Sequence, residues 1–155
     1  MNRQEFDLTE DDSEWLAYWD QLQTAIEAID FEPTLNDVME GLTEVHYGYF
    51  VNEEGPDGYP WTPLSPATIA RKGHDQILID TGRLSESLVG LTGDSVREIV
   101  TRPGGGELAF GTSVEYSIFH NADTGREHVG INDQHVDSIC DIVIDAGVEH
   151  IKKVA

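Results

Sequence analysis

The stretch from Tyr59 to Leu88, YPWTPLSPATIARKGHDQILIDTGRLSESL, limits the fold more than any other part of the chain. Two glycines and three prolines fall between Asn52 and Pro63, so the backbone must turn there in a loop. Ser65 before Pro66 reads as a helix start, because a proline at the first helical position gives up an N–H that has no partner anyway. That helix must be short, ending near Gly73, and Asp80 or Thr81 can cap a second short helix through Leu84, Leu88 and Val89. Trp61, set between Pro60 and Pro63, has two readings: it plugs the core of a loop-rich region, or it anchors a contact between subunits, where large aromatics concentrate binding energy.

The flanks are more regular. Trp15, Trp19, Leu22, Ile26 and Ile29 repeat at 4-3-4-3, one face of a helix that Thr9 or Asp12 can cap. After Asp30-Phe31-Glu32-Pro33, Thr34 is the expected cap of a second helix with Leu35, Val38, Leu42, Val45 and Tyr49 on its apolar face, and the short break favours an antiparallel helical hairpin. The early tryptophans are expected in the core or at an interface. Downstream, Ser95 to Thr101 and Glu107 to Thr112 alternate as strands around a Pro103-Gly104-Gly105-Gly106 loop. Val114 to His120 suits a strand or a helix, His128 to Ile131 suits a short strand, and Asn132 caps a final helix using Val136, Ile139, Cys140, Val143 and Ile151. The expected fold class is α+β: an N-terminal helical hairpin, a small antiparallel sheet with short helices, and a C-terminal helix. A chain of 155 residues makes one domain, with an acidic helical part at 1–51 and an α+β core at 52–155.

Charge narrows the setting. Thirty Asp and Glu oppose nine Lys and Arg, for a net charge of −21. Residues 1–57 hold sixteen acids and only Arg3 (1 − 16 = −15), whereas 58–155 hold fourteen acids and eight bases (8 − 14 = −6). Such self-repulsion opposes compaction at low ionic strength and is screened in concentrated salt, so a salt-loving host fits; the competing reading is a specialised acidic surface in an ordinary host. No apolar run reaches the ~18 residues needed to span a bilayer, and the N-terminus lacks a secretion signal, so a cytoplasmic protein or one carried in a particle is expected. The lone Cys140, among Ile139, Ile142 and Val143, reads as a small buried hydrophobe.

Catalytic and metal chemistry find little support. His120, His128 and His135 lie near Asp123 and Glu127, but no compact signature such as H-E-x-x-H occurs, so they read as surface or core histidines with no cofactor. Gly104-Gly105-Gly106 lacks the lysine of a phosphate loop, and Ser85 and Ser87 lack a nucleophile elbow. No enzyme is expected. Arg71, Lys72 and Arg83 form a small basic group, yet the strongly negative chain argues against tight nucleic-acid binding.

The order Trp61, Pro63, Leu64, Ser65, Thr68, then Lys72, then Leu78, Thr81, Gly82, Leu84 and Ser87 resembles the virion morphogenesis, or tail-completion, family of tailed viruses, of the Mu-like G protein type. That family carries W-x-P-L-S-x-x-T, a lysine, and L-x-x-T/S-G-x-L-x-x-S. Gly111, Thr112, Tyr116, His120, Gly125 and Arg126 extend the resemblance, which covers about two thirds of the chain, from Phe50 onward. Ser117 stands where the family has alanine, and a customary proline and aromatic around Arg126 are missing. The resemblance implies a structural protein of the head–tail connector or neck, assembled in the host cytoplasm and carried in the virion. It would act as a closed ring of itself, a hexamer or else a twelve-subunit ring, beside other neck and tail proteins such as the tail terminator, stopper or adaptor, and tail tube. With the acidic charge, it implies a virus of a haloarchaeon. Trp61, Leu64, Arg71, Lys72, Arg83 and Arg126 are the expected subunit or partner contacts. The alternative is an acidic DNA mimic that inhibits a nucleic-acid-binding partner.

Overall fold

A computed structural model describes residues 13–123 and 125–154. Its elements run α1 (Ser13–Glu27), α2 (Glu32–Asn52), α3 (Pro66–Lys72), α4 (Arg83–Val89), β1 (Ser95–Arg102), β2 (Gly105–Thr112), α5 (Ser117–Asp123) and α6 (Asp133–Val154). This is an α+β fold with N-terminal helices, an antiparallel strand pair and a C-terminal helix.

α2 is the spine. Of its predicted face Val38, Leu42 and Tyr49 are buried and Leu35 and Val45 half-buried, and the buried side widens to Met39, His46 and Phe50, which the apolar spacing does not single out. Thr34 is not its cap: the helix opens at Glu32, whose N–H is taken by the Asp30 carboxylate at 3.0 Å, and Thr34 is buried in the first turn. α2 packs on α4, on both strands and on α6. The core gathers Tyr49 and Phe50 with Trp61, Ile77, Leu84, Leu88 and Val114. Arg97 on β1 ties the layers together, donating to the Thr43 hydroxyl on α2 and the Leu88 carbonyl on α4, both at 2.7 Å, with its guanidinium over the Phe110 ring.

The hairpin is tighter than expected. β2 begins at Gly105, paired with Arg102, so the turn is only Pro103-Gly104. Proline holds φ near −65° and Gly104 supplies φ 71°, a combination suited to a type II turn. Gly106 is needed for closeness: a Cβ there would lie 2.5 Å from Leu35 Cδ1 and 3.2 Å from the Val100 carbonyl oxygen.

Between the hairpin and α6, Val114 to His120 resolves as a turn leading into α5. The stretch His128 to Ile131 forms no strand, because one side chain replaces a sheet partner: Asn121 Oδ1 accepts the N–H groups of His128 and Val129, at 2.8 and 3.0 Å. Asn132 caps α6 as expected, accepting the His135 N–H at 2.9 Å. Cys140 is exposed, contrary to expectation. The face of α6 turned to α2 runs through His135, Ile139 and Ile142, against Val38, Leu42 and Val45, and Cys140 is rotated about 100° from Ile139.

α1 behaves differently from α2. Its expected caps, Thr9 and Asp12, lie outside the described residues. The helix rests on α6 instead of zipping along α2, and its C-terminal end meets the hairpin tip, where Gly104 approaches Ile26. None of its residues is buried, and of its predicted seam only Ile29, beyond the helix, is.

Candidate functional site

Two loops clasp each other beside the core. Trp61 Nε1 donates to the Glu127 carbonyl at 2.8 Å, Arg126 donates to the Thr62 and Pro63 carbonyls at 2.8 and 3.2 Å, and Thr62 N–H reaches the Gly125 carbonyl. Trp61 is 3% exposed and edges against Phe50, so of its two readings the chain realises the core plug, and its ring is withdrawn from any surface a partner could touch.

The clasp forms one wall of a cleft of about 500 Å³, and the other five expected contact residues, Leu64, Arg71, Lys72, Arg83 and Arg126, all line it. Each wall has a local cause. Ser65 accepts the Thr68 N–H and Gly73, at φ 81°, closes α3 on the Ile69 carbonyl, which places Arg71 and Lys72 in the last turn. Gly82, at φ 84°, starts α4 in a conformation that L side chains avoid, and so sets Arg83 at the cleft's edge. Leu78 also takes a positive φ, 56°, unusual for a residue with a Cβ, and lies on the lining between the two short helices. Beneath α4, the Val114 N–H donates to Thr112 Oγ1, Thr112 shares a hydrogen with Ser87, and Ser87 donates to the Leu84 carbonyl at 2.7 Å. The chain of bonds satisfies three groups at the core's edge.

The cleft's cations are unevenly committed. Arg83 forks onto Asp94 at 2.7 and 2.8 Å and reaches Glu115 at 3.4 Å, and that hydrogen bonding raises its pKa while lowering that of Asp94. Lys72 donates, among the described residues, to the Gln76 carbonyl and Arg126 to carbonyls of the clasp. Among the described residues, Arg71, Lys72 and Arg126 bond no carboxylate, in a chain where acids outnumber bases thirty to nine. Burial, and then the charge of Arg126, push His120 below its ordinary pKa. The floor is apolar, with Leu64, Leu78, Leu84 and the Tyr116 ring. Such a cleft suits a ligand that combines carboxylates or other anionic groups with an apolar or aromatic part.

Sequence reasoning passed over Tyr116, Leu78 and Thr81 as contacts, although each stands at a position of the motif. It also missed the buried pair Ser117 and His128, in which Ser117 Oγ lies 2.9 Å from His128 Nε2 and His128 Nδ1 lies 3.0 Å from the Arg126 carbonyl. The carbonyl fixes the proton on Nδ1, so Nε2 accepts from the serine. Both side chains are sealed from solvent, and the pair braces α5 against the clasp loop. His46 is likewise buried, bonding the Leu42 carbonyl, and His135 supports the Asn132 cap. Among the described residues no three His, Cys, Asp or Glu side chains are placed to hold a metal, and no helix is long and apolar enough to cross a membrane. Compared with family models, curated proteins and solved structures, the chain matches none.

Proposed function

We propose that this protein is a structural virion component of the head–tail interface, completing the tail and joining it to the capsid as a ring of identical subunits. One observation carries the reading: ten of the motif positions, scattered from Leu64 to Arg126, line one cationic cleft in an otherwise acidic molecule. A cleft in which Arg71, Lys72 and Arg126 bond no carboxylate among the described residues, over an apolar floor, serves assembly, because a neighbour can fill it. A six-fold ring is the favoured closure, with twelve subunits as the alternative. The net charge of −21 supports a haloarchaeal virus as the source, and there molar KCl should raise the unfolding midpoint above its value at ~0.1 M salt.

A rival reading, an acidic DNA mimic, draws on α6, where Asp133, Asp137, Asp141, Asp145 and Glu149 recur every fourth residue. It gives the cleft no task. Electron microscopy of lysate from a virus lacking the gene separates the two: the connector reading expects filled heads and few joined tails, restored by added protein. Abundant complete particles with a replication defect would favour the mimic.

A further inference from the structure

α1 is an amphipathic helix whose aromatic face nothing covers among the described residues. Trp15, Tyr18 and Trp19 stack edge to face along it and are 64%, 55% and 58% exposed. Three such rings, at about 200 Å² each, leave about 350 Å² of aromatic surface open, the size of the largest apolar patch on a typical monomer, which is often functional. The helix carries Glu14, Asp20 and Glu27 and no lysine or arginine. On the same chain lies a surface of the opposite character: the cleft, where Arg71, Lys72 and Arg126 bond no carboxylate among the described residues and outnumber the one acid of the lining, Asp80, above an apolar floor. We propose that α1 of one copy docks in the cationic cleft of the next, its tryptophans over the floor and guanidinium groups and Glu14, which shares a surface with Trp15 and Tyr18, on the cleft's cations.

The two patches differ, so the contact is head-to-tail, and repetition closes a ring when the rotation allows. Aromatics and arginine are the residue types that dominate interface energies, and an apolar helix face in a groove is a common recognition mode. Guanidinium over indole adds a cation–π attraction. α6 also shows an exposed apolar stripe, Val136, Ile144 and Val148, but part of its surface is already used on α2 and α1, and it has no aromatic residue. α1 has no buried residue at all.

The pairing rests on the self-assembly half of the proposed function, and it is tested in solution, apart from the virus. Light scattering on the purified full-length chain in molar KCl should give a multiple of the subunit mass. Trp15→Ala with Trp19→Ala, and separately Arg71→Glu with Lys72→Glu, should each reduce the mass to one chain while cooperative melting persists. Mixed in equal amounts, the two variants should form a dimer and grow no further, since only one intact helix and one intact cleft are present. If a charge reversal fails to fold, Arg71→Ala with Lys72→Ala takes its place. A monomeric wild type, an unchanged mass in either variant, a mixture that stays monomeric, or dissociation by Ile144→Asp but not by the α1 variants overturns the proposal. A ring that ignores these substitutions leaves the virion reading standing, and normal virions without the gene leave the measured pairing standing.

Discussion

α1 and α2 both repeat apolar residues at three- and four-residue spacing, yet Val38, Leu42 and Tyr49 on α2 are buried while Trp15 and Trp19 on α1 stand more than half exposed. What separates them is the rest of the chain. α4, the strands and α6 all converge on α2, whereas α1 meets α6 and the hairpin tip. Periodicity therefore identifies a face that water disfavours without identifying what covers it. α2 serves the interior of its own molecule, and α1 is left with an aromatic face that nothing among the described residues covers.

The largest effect that would sharpen this contrast is expected at Trp61, the tryptophan on the α2 side of the comparison. Truncation to alanine removes a buried ring and leaves the Glu127 carbonyl without its donor. Trp61→Ala should cost about 3–5 kcal/mol of unfolding free energy, read from urea denaturation at high salt. A loss under ~1 kcal/mol would mean that the clasp is dispensable and the core lies elsewhere.

Acid should act on the same side. Burial lowers the pKa of His46 and of His128 from the usual 6.5, with His135 and Arg97 adding to the effect at His46, and His120 at His128. Between those lowered values and about 6.5 the unfolded chain binds more protons than the folded one, so stability is fully present above that window and falls as pH drops through it. Each histidine contributes a slope of up to about 1.4 kcal/mol per pH unit. His46→Gln or His128→Gln should flatten the pH dependence of the urea midpoint below pH 6.5. An unchanged slope in both variants would assign acid sensitivity to other groups.

A smaller effect probes where the two helices and the hairpin meet. Gly106→Ala places a methyl against Leu35 and the Val100 carbonyl, and should cost about 1–2 kcal/mol, since the end of the leucine can yield but the backbone cannot. Leu35→Ala in the same chain should recover part of that loss, a coupling that a double-mutant cycle measures. Strict additivity would mean that the clash is relieved elsewhere.

Legibility followed the reach of the chemistry involved. The Ser65 and Asn132 caps, the glycine end of α3 and the hairpin were readable because each depends on residues within a few positions of one another. The strand expected at His128 to Ile131 failed because Asn121, seven and eight residues earlier, takes the N–H groups that a sheet would have used. Cys140 was misplaced because its neighbours in sequence are apolar while its neighbours in space are not α2. At the cleft, Leu64, Lys72 and Arg126 stand at motif positions, and Arg71 and Arg83 belong to the basic group beside them, but nothing local joins Arg126 to Lys72, and the clasp brings them to one surface. Ser117, noted as a departure from alanine, has a reason invisible in the chain: its hydroxyl bonds the buried His128.

The smallest expected effect is the most pointed, because it asks for almost nothing to happen. If α1 serves a partner and not its own fold, Trp15→Ala with Trp19→Ala should change the unfolding free energy of the dilute, unassembled chain by no more than about 0.5 kcal/mol, the scale of surface substitutions. Trp61→Ala, the same replacement in the same protein, should cost several times that. Tryptophan emission offers a second view of the difference. Trp15 and Trp19 are wet and Trp61 is dry, so removing the first two should shift the remaining emission to shorter wavelength without loss of the cooperative transition. A destabilisation of the dilute chain by more than ~2 kcal/mol would place these tryptophans in the monomer's own core and erase the distinction between α1 and α2.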